Sequence, residues 1–588
     1  MMQNTTYISA INAYIVGMFI SVVPNRNSNA TILLRETYRE DGHVKNRTLA
    51  NLTKWPPEKI AAMAAALDCA RNDGPSGGEV IGTIPHGHVH AVLGTARRLG
   101  MESLLLARRC RERDLAMAMI VGRVLDPGSK LALARELGEV GTSTLGQSLD
   151  LGPVKVDELY KAMDWLLAHQ DAIEAKLATR HLQEGSLLLY DLTTLFLEGT
   201  TCGLGAHGHG KEGRNDKLQI MVGLICNREG IPVSVQVFKG NDSECLTLGG
   251  QVAKVKERFG LKHVIFVADR GILRSVRIEK DLRPDEMDWI TALRRPAIGA
   301  LIKKGAFQPS LFEEVDLAEI TDPDYPGERL MVCRNPILAG ERARSRAGLL
   351  ERTDKELKAI VAAVQRPKKP LVGAAEIGKK VGAILAHYQT ARFYDLRIKE
   401  TSFSFHRKAD FIREDTVLDG FYVIRTSVGP EVLTSTEAVK AYKELSRVET
   451  AFRLLKTVDL EIRPIYHALS DRVRAHAFLC MLAYYLEWHM RRDLAPLLFS
   501  EEDPEARQAA RKTVVAATKA TPVARAKRGK KVTTDGFPVQ DFRGILKTLS
   551  TQTQQIVQPT IPKLPTFRRL TPATPYQKRA FELLQLTM

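Results

Sequence analysis

The chain has 588 residues, 44% hydrophobic and 26% charged, the make-up of a globular protein of about two to four domains rather than a fibrous or disordered one. Lys and Arg number 85 against 68 Asp and Glu, so the net charge is +17, which favours a polyanionic partner, either nucleic acid or an anionic membrane surface. Seven cysteines stand singly with no C-x2-C pair, which argues against a zinc ribbon or disulfide framework and fits a reducing cytoplasm.

The first apolar stretch, "YISAINAYIVGMFISVV" at 7–23, carries no charge. It falls short of the ~20 residues of a membrane span, and no Lys or Arg precedes it. A start at Met18 is favoured, which makes residues 1–17 an artefact of an upstream start. "ATILLRETYRE" and "HVKNRTLANL" alternate apolar and polar residues about Asp41-Gly42, the signature of a β-hairpin. Residues 57–72 and 92–180 repeat apolar residues at helical spacing. Between them, "PHGHVH" sets His86, His88 and His90 on one side of a possible strand; with no fourth ligand nearby, a solvated loop is favoured over a metal site.

The character changes at 186. "SLLLYDLTTLFLEG", "LQIMVGLIC" and "IPVSVQVF" read as three strands, 246–260 as a helix, and "HVIFVAD" and "DWITALR" as two more strands. That order predicts a mixed sheet, an antiparallel meander extended by a parallel strand. Residues 300–430 mix strands with two charged helical runs and read as an insertion. Residues 435–457 and 470–493 return to strong helices. From about 500 the chain is rich in Lys, Arg, Thr and Pro, and "ARQAARKTVVAATKATPVARAKRGKK" reads as a flexible basic arm.

Three carboxylates stand out. Asp191 interrupts the first apolar strand of the sheet, a placement that costs free energy unless the acid is paired or bound to a metal. Asp269 closes the fourth strand, and Glu449 lies in "AYKELSRVETAFRLLKT". Tyr442, Glu449 and Lys456 are seven residues apart, so they share one helix face, and Arg453 joins them. The bland alternative is a core helix with a Glu449–Arg453 salt link. Together the three acids are the ribonuclease-H arrangement, suited to two Mg²⁺ ions roughly 3.5–4 Å apart that clamp a phosphodiester. Hard oxygen ligands favour Mg²⁺ over zinc.

With these residues the chain resembles the DDE transposases of bacterial insertion sequences, within the insertion-sequence-four superfamily and its group sixteen thirty-four. The superfamily signature Y-x2-R-x3-E-x6-K is matched by Tyr442, Glu449 and Lys456, with Leu445 where Arg is expected; Arg453 or Arg447 is the candidate to replace it, Arg453 on the better face. "VADRGI", "LLYDLTTLFLEG", "GHGKEGRNDKLQIMVGL" and "FKGNDSE" resemble family blocks. The resemblance implies an α/β fold: a ribonuclease-H-like mixed sheet flanked by helices, interrupted by a β-rich insertion, with a mainly helical N-terminal region. The expected divisions are 18–55 (hairpin), 56–183 (helical DNA-binding region), 184–299 and 431–495 (catalytic core), 300–430 (insertion) and 496–588 (basic tail).

The implied function is binding of terminal inverted repeats, hydrolysis at the element's ends and joining of the 3′-OH to target DNA. Asp191, Asp269 and Glu449 would be catalytic and hold two Mg²⁺, with Mn²⁺ as a substitute. Tyr442, Arg447, Arg453 and Lys456 would contact DNA, with Lys211 and Arg214 of the glycine-rich 206–216 loop. The implied partners are double-stranded DNA, as inverted repeats and target, and a second copy in the synaptic complex; no membrane is expected, and the setting is a cytoplasmic nucleoid. The alternative is a catalytically inactive, transposase-derived DNA-binding protein. Trp289 could stabilise a flipped base, but core packing is favoured.

Overall fold

A computed structural model describes residues 17–25, 30–40, 43–69, 78–138, 142–208, 216–313, 315–457, 459–501, 506–507, 513–515, 519–559 and 565–587. At the N-terminal end β1 (Met18–Val23), β2 (Thr31–Glu40) and β3 (His43–Asn51) pair antiparallel in that order. The expected hairpin therefore has a third strand, drawn from the apolar stretch at 7–23; residues 7–16, like the Asp41-Gly42 turn, lie outside the described residues. Ile32, Leu52 and Ile60 form a small core of their own beneath this sheet.

The central sheet has eight strands. They are β5 (Leu187–Phe196), β6 (Gln219–Cys226), β7 (Pro232–Lys239), β8 (Ile265–Val267), β9 (Asp288–Ala292), β10 (Leu317–Ile320), β11 (Arg329–Arg334) and β14 (Phe421–Thr426). Their order is β10-β11-β14-β9-β8-β5-β6-β7. β5, β6 and β7 form an antiparallel meander, β8 lies parallel to β5, and β9 lies parallel to β8. β6 is buried along its whole length, so both faces are covered, as its unbroken apolar run "QIMVGLIC" requires.

The stretch 300–430 does not stand apart as a single insertion. β10, β11 and β14 continue the central sheet beyond β9. The helices Pro336–Val364 and Ala374–Tyr388 with the hairpin β12 (Tyr394–Lys399) and β13 (Ser402–Arg407) form a lobe. That lobe has its own core around Leu357, Ile377, Val381 and Phe403.

The N-terminal helices are fused to the sheet. The helix Ser470–Asp493 is buried from Val473 to Met490 on nearly every side, which marks a central helix rather than a surface one. It packs on β7 and on the helices Arg111–Leu125 and Val156–Ala168, so sheet and helices share one core.

The C-terminal segment corrects the reading of a flexible arm in part, since 508–512 and 516–518 of that run lie outside the described residues. Its described residues form the helices Pro522–Lys530, Phe542–Ser550 and Pro575–Leu583 and the strands β15 (Thr553–Gln558) and β16 (Phe567–Leu570). β15 pairs with β4 (Glu79–Pro85), far away in sequence. Phe542, Ile545, Leu546 and Leu549 form a buried stripe at helical spacing. Composition hid this, because the basic residues occupy the other faces. Even Lys527 is buried, with Nζ donating to the Ala495 carbonyl at 2.9 Å.

Candidate active site

Two acids end up side by side because of strand register. β5 and β8 pair Leu187 with Ile265, Leu188 with Phe266 and Leu189 with Val267. Asp191 and Asp269 each stand two residues past the last pair, so they occupy the same height and the same side of the pleat on strands about 4.8 Å apart. Asp191 is half-buried and Asp269 is exposed. The chain leaves the sheet at Asp269, and Oδ1 of its side chain accepts from the Gly271 and Ile272 amides. This anchoring explains an acid at a strand end, but it uses one oxygen only. Oδ2 has no hydrogen bond among the described residues.

The helix carrying Glu449 packs over β5. It is not one helix from Tyr442 to Lys456, as spacing alone predicted. A tightened turn at Glu444 separates Ser435–Lys443 from Leu445–Lys456. Glu444 is buried and paired with Arg228 at 3.0 Å, and its carbonyl accepts from Arg447 N at 2.8 Å. Tyr442 nevertheless faces the acids. Burial pushes its phenol up to about 12; the carboxylates of Asp269, Glu449 and Asp191 push the same way, and Arg270 opposes them. One neutral phenol thus stands within the field of all three acids. Glu449 is exposed, and neither its side chain nor that of Arg453 makes a hydrogen bond or ion pair among the described residues, so the Glu449–Arg453 salt link does not form. Leu445 is buried in the core, which is why no cation occupies that position.

A family model described as "Transposase DDE domain" matches residues 183–486, more than half of the chain. A second, "IS1634 family transposase, N-terminal domain", matches residues 20–74. The chain belongs to the IS1634-family DDE transposases. Among curated proteins none matches it.

DDE domains generally use divalent metal ions. Among the transposase's described residues, no three acid, imidazole or thiol groups stand close enough to enclose one. Mg²⁺ does not need such a cage, since one or two carboxylates usually hold it together with substrate phosphate and water. The adjacent pair Asp191 and Asp269, with Oδ2 of Asp269 unengaged, fits that donor set.

The remaining sequence candidates divide. Lys456 is half-buried and Arg453 is exposed. Arg447 is engaged with the β6–β7 turn, Nη1 donating to the Arg228 carbonyl at 2.8 Å. Lys211 and Arg214 lie outside the described residues. Trp289 is 2% exposed, with Nε1 donating to Glu328 and Arg283 over its ring, so it is a core residue. His86, His88 and His90 form neither a strand nor a solvated loop. They begin the helix Gly87–Arg98, which docks on the C-terminal segment through the Gln552 carbonyl. Burial, then His86, pushes His88 down to about 4. Its Nδ1 and Nε2 of His90 are buried with no hydrogen-bond partner among the described residues.

Two further groups at the site were not singled out from sequence. Where a Gly271 Cβ would stand, Oδ1 of Asp269 is 2.8 Å away and Oε2 of Glu244 is 3.0 Å away. Glu244, in the block "FKGNDSE", therefore brings a fourth carboxylate beside Asp269. Arg270, next to Asp269 in sequence, acts on Tyr442 and on Arg342 of the helix Pro336–Val364. The block was visible in the sequence; the loop that folds Glu244 back to the sheet edge was not.

Proposed function

We propose that this transposase binds the terminal inverted repeats of its element as double-stranded DNA, cuts a phosphodiester at each end, and joins the freed 3′-OH to target DNA. The observation that carries this reading is the register that sets Asp191 beside Asp269, with Tyr442 in the field of both and of Glu449. The strand order β7-β6-β5-β8-β9, three antiparallel strands followed by two parallel additions, supports a ribonuclease-H-like core.

In this reading Asp191, Asp269 and Glu449 hold two Mg²⁺, or Mn²⁺ in its place. When bound, the metal supplies Lewis-acid neutralisation of charge at the scissile phosphate. The chain's own groups do the rest. The Gly271 and Ile272 amides hold the Asp269 carboxylate in place, and Glu244 lies near it as a further acid. The Tyr442 phenol stays protonated at neutral pH and donates to a phosphate oxygen. Arg453 and Lys456 hold flanking phosphates, with Lys211 and Arg214 of the glycine-rich loop as further contacts. In the first step a water oxygen bonds to phosphorus, and the 3′-oxygen leaves with a proton. In the second, that 3′-OH bonds to a target phosphorus and the target's own 3′-oxygen leaves, so no high-energy cofactor is consumed. Positioning supplies much of the rate. Two ends must meet, so the working form is a dimer in the synaptic complex, acting on the nucleoid.

The test uses purified protein, labelled DNA carrying the flanking inverted repeats, Mg²⁺, and Asp269→Ala alongside. Cutting at the repeat end and joining by wild type, with the variant only binding, is the expected result. Equal binding with no cutting in Mg²⁺ or Mn²⁺ would establish the inactive DNA-binding alternative.

A further inference from the structure

The helical region buries cations without acids to match them. Arg123, near the end of the helix Arg111–Leu125, is 8% exposed, and Lys130, the first residue of the helix Lys130–Leu137, is 7% exposed. Neither makes an ion pair among the described residues. Arg123 donates only to the Gly128 carbonyl, at 3.3 Å. The groups that act on Lys130 are Arg123 and the Cys480 thiol, with no carboxylate among them. Burial, then Arg123, pushes Lys130 down to about 8, so it remains mostly charged at neutral pH. His467 and His476 face the same two cations. Arg472 stacks on Tyr160 beside them, and its partner Asp164 lies 3.6 Å away and half exposed.

A cavity of about 300 Å³ opens here, lined by Arg123, Ser129, Lys130 and Arg135, with Asp126 and Glu136 on its wall. Glu136 is taken up by Ser143 Oγ at 2.5 Å, and burial pushes its carboxyl up toward the neutral form. The amide end of the helix Lys130–Leu137, capped by Ser129, adds positive potential. Burying a cation beside another cation is costly unless an anion joins them, and such costs concentrate at functional sites.

The segment 465–467 links the hollow's cations to the end of β5. His467 follows Ile465, whose carbonyl accepts from Glu198 N at 3.0 Å where β5 ends. Asp191 is on the same strand, six residues before Leu197, about 20 Å along it. Tyr466, 75% exposed, stands on the connecting loop.

We propose that Arg123 and Lys130 form a binding site for one phosphate of the DNA backbone, several base pairs from the cut. The proposal takes its ligand from the transposase reading, and its test is separate from strand cleavage.

The full-length protein and Lys130→Met are titrated with inverted-repeat duplex over a salt series, and both are melted without DNA. Removing an unpartnered buried charge should raise the melting temperature. DNA affinity should fall about three- to tenfold, and the salt slope by about one phosphate's worth, ~0.9. Unchanged affinity and slope would overturn the proposal, leaving Lys130 as a core lysine. Should Lys130→Met fail to fold, a walk of single methylphosphonates along the duplex is read on wild type. One neutralised phosphate away from the cut should weaken binding as much as Lys130→Met was expected to. If no position does, or if inorganic phosphate raises the melting temperature while no DNA position matters, the site is not a DNA site. Binding with the expected slope but no cleavage would sink the catalytic reading and leave this one standing.

Discussion

The acidic edge of the sheet, proposed as catalytic, and the Lys130 hollow hold like charges in opposite settings. At the edge, Asp269 and Glu449 are exposed, Asp269 is anchored by loop amides, and water screens the repulsion. In the hollow, Arg123 and Lys130 are nine-tenths buried and make no ion pair among the described residues, although Asp126 and Glu136 stand on its wall. Like charges at a wet edge can wait at little cost for a counter-ion. Like charges in a dry helical core carry a standing penalty, which shows up in stability and pH dependence as well as in activity.

The largest expected effect breaks the edge. Asp191→Asn, Asp269→Asn and Glu449→Gln should each lower strand cleavage by about a hundredfold to a thousandfold, the worth of several kcal/mol at the transition state. Melting temperature and DNA affinity should change little, because Asp269 and Glu449 are exposed and Asp191 is only half-buried. A variant that lost all three properties together would show a structural role instead.

In the hollow the pH profile should differ. Lys130 titrates at about 8 when folded and 10.5 when unfolded. Below pH 8 both states are charged and the folded chain bears the full cost. Between pH 8 and 10.5 the folded chain releases the proton while the unfolded chain keeps it, so wild type gains stability as pH rises. Denaturant melts should show wild type gaining roughly 3 kcal/mol on Lys130→Met across that window. A flat difference would show that folded Lys130 keeps its proton across this window, so that burial does not lower its pKa.

Gly271→Ala sharpens the edge side. Its new Cβ would crowd Asp269 Oδ1 at 2.8 Å and Glu244 Oε2 at 3.0 Å. Cleavage should fall about tenfold to a hundredfold from carboxylate displacement, with a melting shift of a degree or two at most on the scale expected for a surface substitution. Glu244→Gln should lower cleavage in the same direction, measured in the same assay.

The smallest effects separate two arginines of one helix. Arg453→Ala should weaken DNA binding and lower the salt slope by about one phosphate contact, leaving stability alone. Arg447→Ala should do the reverse, costing about 1 kcal/mol of stability for its bond to the Arg228 carbonyl and leaving the slope unchanged. Anisotropy titrations and thermal melts on both variants distinguish the two outcomes.

Much of the edge was legible before any fold was seen. Apolar runs bounded by turns located β5 to β9 to within a few residues, and an acid inside "LLLYDLTTLF" signalled a tolerated cost. Heptad spacing pointed to one face for Tyr442 and Glu449. It could not show the break at Glu444, because a buried Glu444 paired with Arg228 depends on a partner more than two hundred residues away. The histidines of "PHGHVH" were misread for a similar reason: what covers them is the C-terminal segment. The hollow was not legible at all, since Arg123, Lys130 and His467 are unremarkable in their local sequence.

The sequence alone determined the parts whose signal is local: strand identity, the amphipathic helices, the basic balance and the acids available for metal chemistry. Tertiary structure decided which distant parts meet. It joined β15 to β4, extended the sheet with β10, β11 and β14, brought Glu244 near Asp269, and gathered Arg123 and Lys130 at one hollow. The physical reason is that pairing and burial are properties of contacts between segments. Local periodicity states which face of a segment must be covered, and only the packed chain states by what.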